Sequence, residues 1–236
     1  MDAVLQVQDL TKAYRNNIAL YNVNIEISSG KIVGMLGPNG SGKTTFMKLC
    51  AGLLTPTRGK IRICDKPVGE GTKALVSYLP DKTYLNNGQT VKDQLDFFQD
   101  FYKDFDRERA EEMLKTLGIN TGVRFGTLSK GTKEKVQLVL VMSRRAKLYL
   151  LDEPIGGVDP AARDYILNTI VTNYDPEATV IISTHLIADV EPILNDYIFV
   201  NRGRILQAGS VAAAREESGK TLDELFREVF KCLPNY

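Results

Sequence analysis

A glycine-rich segment of this sequence has the residue types and spacing of a phosphate-binding loop. Residues 37–44 read G-P-N-G-S-G-K-T, which matches the pattern G-x-x-x-x-G-K-[ST]. Glycines here let consecutive backbone N–H groups converge on phosphate oxygens, and the helix that follows adds the partial positive charge of its N-terminus. We expect Lys43 to reach the β- and γ-phosphates of a nucleotide and the Thr44 hydroxyl to bind Mg²⁺. The predicted nucleotide-binding residues of the loop are Asn39, Gly40, Ser41, Gly42, Lys43, Thr44 and Thr45.

Two carboxylates at the end of an apolar run supply the second part of the predicted chemistry. Residues 148–151 read L-Y-L-L, and Asp152 and Glu153 follow them directly. We expect Asp152 to hold the Mg²⁺ shell and Glu153 to polarise a water molecule in line with the γ-phosphate. A strand that ends in Asp-Glu-Pro is also a common solvated turn. The combination with the phosphate loop favours the functional interpretation, a nucleoside triphosphatase.

The hydrophobic pattern predicts the elements that position these residues. Short β-like runs dominate residues 4–79, with one predicted helix at 44–54 after the phosphate loop. From residue 147 onward strands and helices alternate again, as in a parallel sheet covered by helices. The predicted fold class is therefore α/β. The predicted parts are a β lobe at 1–89 and 147–212, a helical insertion at 90–146 and C-terminal helices at 213–236.

Composition and charge exclude several classes of function. The chain has 30 Lys and Arg against 29 Asp and Glu, so no global basic field is present to hold nucleic acid. The N-terminus has an acid, Asp2, where a secretory signal has cations, and no apolar stretch approaches the roughly 18 residues that span a bilayer. We expect a cytoplasmic protein. The cysteines Cys50, Cys64 and Cys232 lack a C-x-x-C pair, and we interpret them as buried or incidental thiols.

The phosphate loop and the acidic strand end together resemble the nucleotide-binding subunit of an ATP-binding cassette (ABC) transporter. Tyr14 stands where this family places an aromatic ring that stacks on adenine; the alternative is a ring packed on the sheet edge. Residues 128–132, L-S-K-G-T, are similar to the family signature, usually L-S-G-G-Q. The resemblance implies that Ser129 and Gly131 contact the γ-phosphate held by a partner cassette, while the alternative is an ordinary serine N-cap.

Two further segments match the family in the expected order. Residues 156–159, G-G-V-D, resemble the dimer-contacting loop, although in isolation they would be only a turn. His185, the one histidine of the chain, stands where the family has its switch histidine. The resemblance implies that His185 contacts the γ-phosphate and the attacking water, whereas a lone histidine is more often structural.

The sequence departs from the family at two motifs. Asp81 stands where the family has a Gln that senses Mg²⁺ and the attacking water; an aspartate can still approach the metal but cannot donate a hydrogen bond. In the signature, Lys130 and Thr132 replace the usual Gly and Gln, and Lys130 adds a cation near the partner's γ-phosphate. These changes affect the expected coupling of the cassette to its membrane partner more than the expected binding of ATP.

The resemblance covers essentially the whole chain and implies its fold, ligands and partners. The expected architecture is a single ABC ATPase domain over 1–236, a P-loop NTPase core of ABC type with an N-terminal antiparallel β subdomain and an inserted α-helical subdomain. The expected ligands are ATP and Mg²⁺. The expected partners are a membrane permease, through which the subunit is peripheral on the inner face of the cell membrane, and a second cassette in a homodimer or heterodimer. The signature and short tail resemble exporters of drugs, peptides or antibiotics.

The same residues bear on three alternatives to a transport motor. Asp81 favours a nucleotide-dependent clamp with little turnover, although Glu153 and His185 argue for hydrolysis. A DNA-repair or chromosome ATPase requires a long coiled-coil insertion, and a translation factor requires two cassettes; neither feature is found in the sequence.

Aromatic side chains are unusually dense between residues 81 and 105. This segment contains more rings than one amphipathic helix face can bury, so we expect some of them to be exposed. The family resemblance implies that the segment forms the dock for the permease, with the alternative that neighbouring helices cover every ring. The rings are Tyr84, Phe97, Phe98, Phe101, Tyr102 and Phe105.

Overall fold

Two β-sheets organise residues 3–231, the part of the chain that this computed structural model describes, without the side chains of residues 161 and 162. One sheet is antiparallel with strand order β2-β1-β4-β5, and the other has the order β10-β9-β3-β8-β7-β6 and is parallel apart from the β9–β10 hairpin. The predicted α/β fold with an N-terminal antiparallel sheet is confirmed. The strands are β1 (Ala3–Tyr14), β2 (Asn17–Ser28), β3 (Ile32–Leu36), β4 (Arg58–Ile63), β5 (Lys66–Pro67), β6 (Val76–Leu79), β7 (Leu148–Asp152), β8 (Thr179–Thr184), β9 (Asp196–Asn201) and β10 (Arg204–Ser210).

Helices cover the parallel sheet and form a lobe at its β6 edge. The α-helices are α1 (Lys43–Cys50), α2 (Glu70–Lys73), α3 (Val91–Phe101), α4 (Arg107–Thr116), α5 (Lys130–Met142), α6 (Pro160–Asn173), α7 (Ile187–Val190), α8 (Val211–Ser218) and α9 (Leu222–Lys231). Short 3₁₀ helices lie at Phe125–Thr127 and Glu191–Ile193. No helix in these described residues is long and apolar enough to cross a bilayer.

The parallel strands are buried on both faces, which explains their continuous apolar sequences. Alternate residues of each strand face opposite layers. Met35 and Leu150 point toward the antiparallel sheet and α1, whereas Leu36 and Leu151 point toward the opposite layer, which contains α5 and α6. Burial on both faces fixes the register of β3, β7 and β8.

That register brings three strand ends to one edge of the sheet. Leu36 pairs with Thr184, and Asp152 pairs with Ser183, so the carboxyl ends of β3, β7 and β8 are level. The phosphate loop, the two carboxylates and the histidine each follow one of these strands. Ligands of open α/β sheets bind at such carboxyl edges.

The helical lobe has a separate small core around α3, α4 and the first half of α5. Thr90 caps α3 by accepting a hydrogen bond from the Asp93 N–H, and the Asp93 side chain accepts one from the Thr90 N–H. Asp106 caps α4 through the Arg109 N–H, as its sequence position predicts. Phe98 and Phe125 are fully buried in this core.

Several predicted boundaries differ from those in the structure. The helix predicted at 44–54 ends at Cys50, because Gly52 adopts φ 71° and the Leu53 N–H bonds to the Lys48 carbonyl, a Schellman ending. The helix predicted at 187–194 is α7 followed by a 3₁₀ turn. Cys50 is buried, which raises the pKa of its thiol, while Cys64 is half-buried; Cys232 lies outside the described residues.

Candidate nucleotide-binding site

The phosphate loop connects β3 to α1 and presents the open N-terminus of that helix to a cleft. Gly42, at φ 110°, precedes the helix and offers no side-chain cap. The first N–H groups of an α-helix have no partner within the helix, so those of α1 are available to an anion. A Cβ on Gly42 would lie 2.6 Å from the Ala19 carbonyl oxygen, and one on Gly37 would lie 2.2 Å from the Val200 carbonyl oxygen. These two glycines are therefore also required by the packing of the loop against neighbouring backbone.

Lys43 is a buried cation held by three oxygen atoms. Its Nζ donates to the carbonyls of Gly37 (2.7 Å) and Pro38 (3.2 Å) and lies 3.3 Å from Glu153 Oε1. The side chain is only 5% exposed, so the carboxylate of Glu153 supplies the charge compensation that burial requires. In this conformation the ammonium group lies folded over the loop, where a bound phosphate would compete with Glu153 for it.

Asp152 is buried at the end of β7 and accepts two close hydrogen bonds. Ser183 Oγ donates to its Oδ1 at 2.6 Å and Thr44 Oγ1 donates at 3.1 Å, with Tyr78 OH a weaker neighbour at 3.4 Å. Burial raises the pKa of Asp152, while the hydrogen bonds from Ser183 and Thr44 oppose that rise. Burial also raises the pKa of Tyr78, so its hydroxyl stays a proton donor.

These oxygen donors fit Mg²⁺ bound together with a nucleotide. Thr44 and Asp152 present a hydroxyl and a carboxylate oxygen 3.1 Å apart. Among the described residues no group of three or more His, Cys, Asp and Glu side chains could hold a metal by itself. Magnesium prefers one or two carboxylates completed by phosphate and water oxygens, so this incomplete donor set matches a metal that arrives with a nucleotide.

Glu153 connects the phosphate loop to His185. Its N–H still donates to the Ser183 carbonyl of β8 at 3.0 Å, and its positive φ of 51° turns the chain out of the strand at this residue. Its Oε1 faces Lys43, and its Oε2 lies 3.1 Å from His185 Nδ1. A sparsely populated backbone conformation at this position is typical of functional sites.

The cleft has a volume of about 830 Å³ and contains most of the predicted site. Tyr14, 42% exposed, lies on its wall, rather than fully packed against the sheet. Asp81 and His185 line it as well. Predicted residues of the phosphate loop that line the cleft are Asn39, Gly40, Ser41, Gly42, Lys43, Thr44 and Thr45.

Of the signature residues, Ser129 and Gly131 lie outside the cleft of their own chain, whereas Lys130 between them is part of its wall. Ser129 is exposed and caps α5, because its Oγ accepts a hydrogen bond from the Thr132 N–H at 3.2 Å and contacts Thr132 Oγ1 at 2.8 Å. Neither Ser129 nor Gly131 lines the cleft of its own chain. The predicted contacts of Ser129 and Gly131 with nucleotide therefore require a second chain.

Several residues of the site were not predicted from the sequence. Ser183 holds Asp152, and its only sequence signal was its place two residues before His185. Around Tyr14 the cleft is also lined by Asn17, Ile18, Ala19, Arg202 and Gly203. Arg202 and Gly203 form the turn between β9 and β10, and Gly203 is held at the cleft by hydrogen bonds from the Tyr21 N–H and to the Ser41 carbonyl, both 2.8 Å long.

Comparisons with known proteins agree with this geometry. A family model described as ABC transporter matches residues 20–156. The ABC-type transporter ATP-binding protein EcsA of Bacillus subtilis (strain 168) is 30% identical over 240 residues, 97% of each chain. The SkfA peptide export ATP-binding protein SkfE of the same organism is 33% identical, over 86% of this chain and 88% of SkfE. A solved ATP-binding subunit of an ABC transporter superposes with a TM-score of 0.86 at 28% identity, over 96% of this chain and 99% of that one. The chain therefore belongs to the ABC transporter family and is an ATP-binding subunit with the ATPase activity of that family.

Proposed function

We propose that this chain is the motor of a transporter in which two cassettes close around two Mg-ATP and drive a separate membrane permease. The observation that carries the proposal is the division of the site. Lys43, Glu153 and His185 line one cleft, and the buried Asp152 contacts the cleft residue Thr44 from behind, whereas Ser129 lies on an exposed helix start outside the cleft. Each chain thus supplies the phosphate loop and carboxylates of one site and the signature segment of another site, which supports a head-to-tail arrangement of two chains.

The cleft supports the following roles for its residues in hydrolysis. Thr44 and Asp152 would hold Mg²⁺, which when bound would supply positive charge next to the phosphates. When a nucleotide binds, Lys43 leaves the carboxylate of Glu153 and contacts the β- and γ-phosphates instead. Glu153, thereby released, accepts a proton from the attacking water as general base. His185, 3.1 Å from the second carboxylate oxygen, orients Glu153 and faces the same space.

A second copy of this chain is the simplest partner cassette. The phosphate loop, the acidic strand end, His185, Ser129 and Gly131 are all present on one chain. A homodimer therefore has two complete sites and needs no residue from a different subunit.

The proposed dock for the permease is a largely apolar groove between the helical lobe and the catalytic lobe. The groove has a volume of about 820 Å³, and its walls include Leu53, Tyr84, Phe101 and Tyr102. Phe101 is 70% exposed and stacks on the exposed ring of Phe97, with 4.5 Å between ring centroids. Exposed aromatic clusters of this kind mark interaction surfaces.

Export across the cell membrane is the proposed direction, with the subunit on the inner face. The relative named as a peptide export protein supports this direction, while the permease chooses the cargo. The test is affinity purification of the tagged chain from its host, followed by phosphate-release assays on the complex. Co-purification of a multi-span membrane protein and Mg-ATP turnover that it stimulates would support the proposal.

A nucleotide-dependent clamp is the second candidate, because Asp81 replaces a neutral amide on the cleft wall. The same assay separates the two functions. A clamp binds ATP and dimerises but releases phosphate at less than about one turnover per minute, far below the roughly 1 s⁻¹ that is usual for enzymes.

A further inference from the structure

Two side chains of opposite charge, Asp81 and Lys130, stand at the two positions where the family resemblance implies a Gln and a Gly. They come from different lobes, since Asp81 follows β6 and Lys130 is the first residue of α5. Both line the nucleotide cleft, and both also line a smaller neighbouring cavity of about 420 Å³. The two departures from the family pattern thus face the same space.

A third residue, Glu134, lies under the electrostatic influence of both side chains. Burial raises the pKa of the Glu134 carboxyl group. Lys130, whose Nζ lies 3.7 Å from Glu134 Oε1, opposes that rise, and the charge of Asp81 adds a smaller rise of its own. Asp81 and Lys130 are therefore close enough to oppose each other's effect on one carboxylate.

Lys130 also lies against the loop at Gly156 and Gly157. A Cβ added to Gly157, which has φ 72°, would lie 3.1 Å from Lys130 Nζ. The ammonium group is thus placed between the start of α5 and the loop that resembles the dimer-contacting loop. The proposed dimer brings the γ-phosphate of the partner's ATP to this side of α5.

The charges around the smaller cavity show why a cation is needed there. The carboxylates on its wall are Asp81, Glu134, Asp152 and Glu153. The ammonium groups are Lys82, Lys130 and Lys133. Without Lys130, four carboxylates would face two ammonium groups in a cavity that adjoins the nucleotide cleft. Like charges on one cavity wall repel more strongly where water is partly excluded.

We infer that Lys130 is a positioning residue that compensates the charge of Asp81, so that the signature segment can close on the γ-phosphate of a second chain. In this inference Asp81 and Lys130 act as a pair, and the pair replaces the neutral Gln and Gly. The inference rests on the proposed function, because it requires the head-to-tail dimer.

A double-mutant cycle on dimer formation tests the pairing. The variants are Lys130→Gln, Asp81→Asn and the double variant, with Lys130→Arg as the charge-conserving variant. Lys135→Gln is the matched control, since Lys135 is on the same helix but lies over the ring of Tyr165. Sedimentation velocity gives the concentration of a non-hydrolysable ATP analogue, with Mg²⁺, at which half of the chains are dimeric. Thermal unfolding without nucleotide checks that each variant folds.

We expect Lys130→Gln to raise that concentration about tenfold, because it removes one cation from a cavity wall that is otherwise rich in carboxylates. In the Asp81→Asn background the same substitution should change it less than twofold. Lys130→Arg and Lys135→Gln should also remain within twofold of the wild type. The variants that need more analogue to dimerise should also release phosphate more slowly at steady state.

Two results would overturn the inference, and they differ in what else they affect. If the wild type dimerises but Lys130→Gln has the same effect in both backgrounds, Lys130 acts independently of Asp81 and only this inference fails. If the folded wild type does not dimerise with the analogue at all, the proposed function fails and the inference fails with it.

Discussion

Replacing Glu153 by Gln should have opposite effects on nucleotide binding and on hydrolysis. In the structure one carboxylate oxygen of Glu153 faces Lys43 at 3.3 Å and the other faces His185 at 3.1 Å. Glutamine keeps the shape of the side chain but removes both its charge and its basicity. Lys43 then has no competing carboxylate when a phosphate arrives.

The size of each effect follows from these contacts. At 3.3 Å and an effective dielectric constant of about 20, the Lys43–Glu153 attraction is about 5 kcal/mol. Most of it is offset by desolvation and by the two carbonyls that Lys43 keeps, which leaves about 1–2 kcal/mol, or about tenfold in affinity. Loss of the general base should lower turnover by about 10²- to 10⁴-fold.

Calorimetric titration with ADP and a phosphate-release assay with Mg-ATP measure the two effects separately. ADP is the appropriate ligand because it reports on Lys43 without the γ-phosphate that the signature closes on. His185→Gln is the matched control, since it should leave ADP affinity within about twofold while lowering turnover. Wild-type turnover in Glu153→Gln would refute the assignment of the base. Unchanged or weaker ADP binding would refute the competition between Glu153 and phosphate.

Three further predictions concern the phosphate loop, the adenine contact and the dock. Lys43→Ala should gain almost no thermal stability from ATP, whereas the wild type should gain about 2.7 kcal/mol at 100 times Kd; equal gains would refute the role of the loop. Tyr14→Ala should weaken ATP binding by about tenfold in calorimetry and Tyr14→Phe should not; equal affinities would exclude stacking on adenine. Phe101→Glu should abolish co-purification of the permease and spare basal turnover. Val171→Glu, at an exposed apolar position elsewhere, should keep co-purification. Normal assembly of Phe101→Glu would place the dock elsewhere.

Local motifs in this chain could be interpreted from sequence because their chemistry is contained within a few residues. The phosphate loop and the Asp152-Glu153 pair each combine an apolar strand with polar residues at its end, and the parallel sheet brings both to one edge. The caps at Thr90 and Asp106 are local in the same sense, because each side chain accepts a hydrogen bond from the N–H three residues further on. The excess of rings between residues 81 and 105 also predicted exposed aromatic side chains, and Phe101 is among them.

Contacts between distant segments could not be predicted from these local patterns. The sequence assigned Gly37 and Gly42 to phosphate binding, but the structure shows that both also make room for carbonyls of Val200 and Ala19. The ion pair between Lys43 and Glu153 spans more than a hundred residues and depends on the register of strands that are not adjacent in sequence. The early end of α1 had a local signal at Gly52, but the apolar residues that follow it obscured that signal.

Hydrolysis between two copies of this chain makes turnover per chain depend on protein concentration. Phosphate release at saturating Mg-ATP would be followed from nanomolar to micromolar protein, with Lys43→Ala as the blank. Turnover per chain should rise with concentration and level off where sedimentation shows the dimer. Turnover per chain that is constant over the whole range, while the protein remains monomeric, would show that a single chain hydrolyses ATP without a partner.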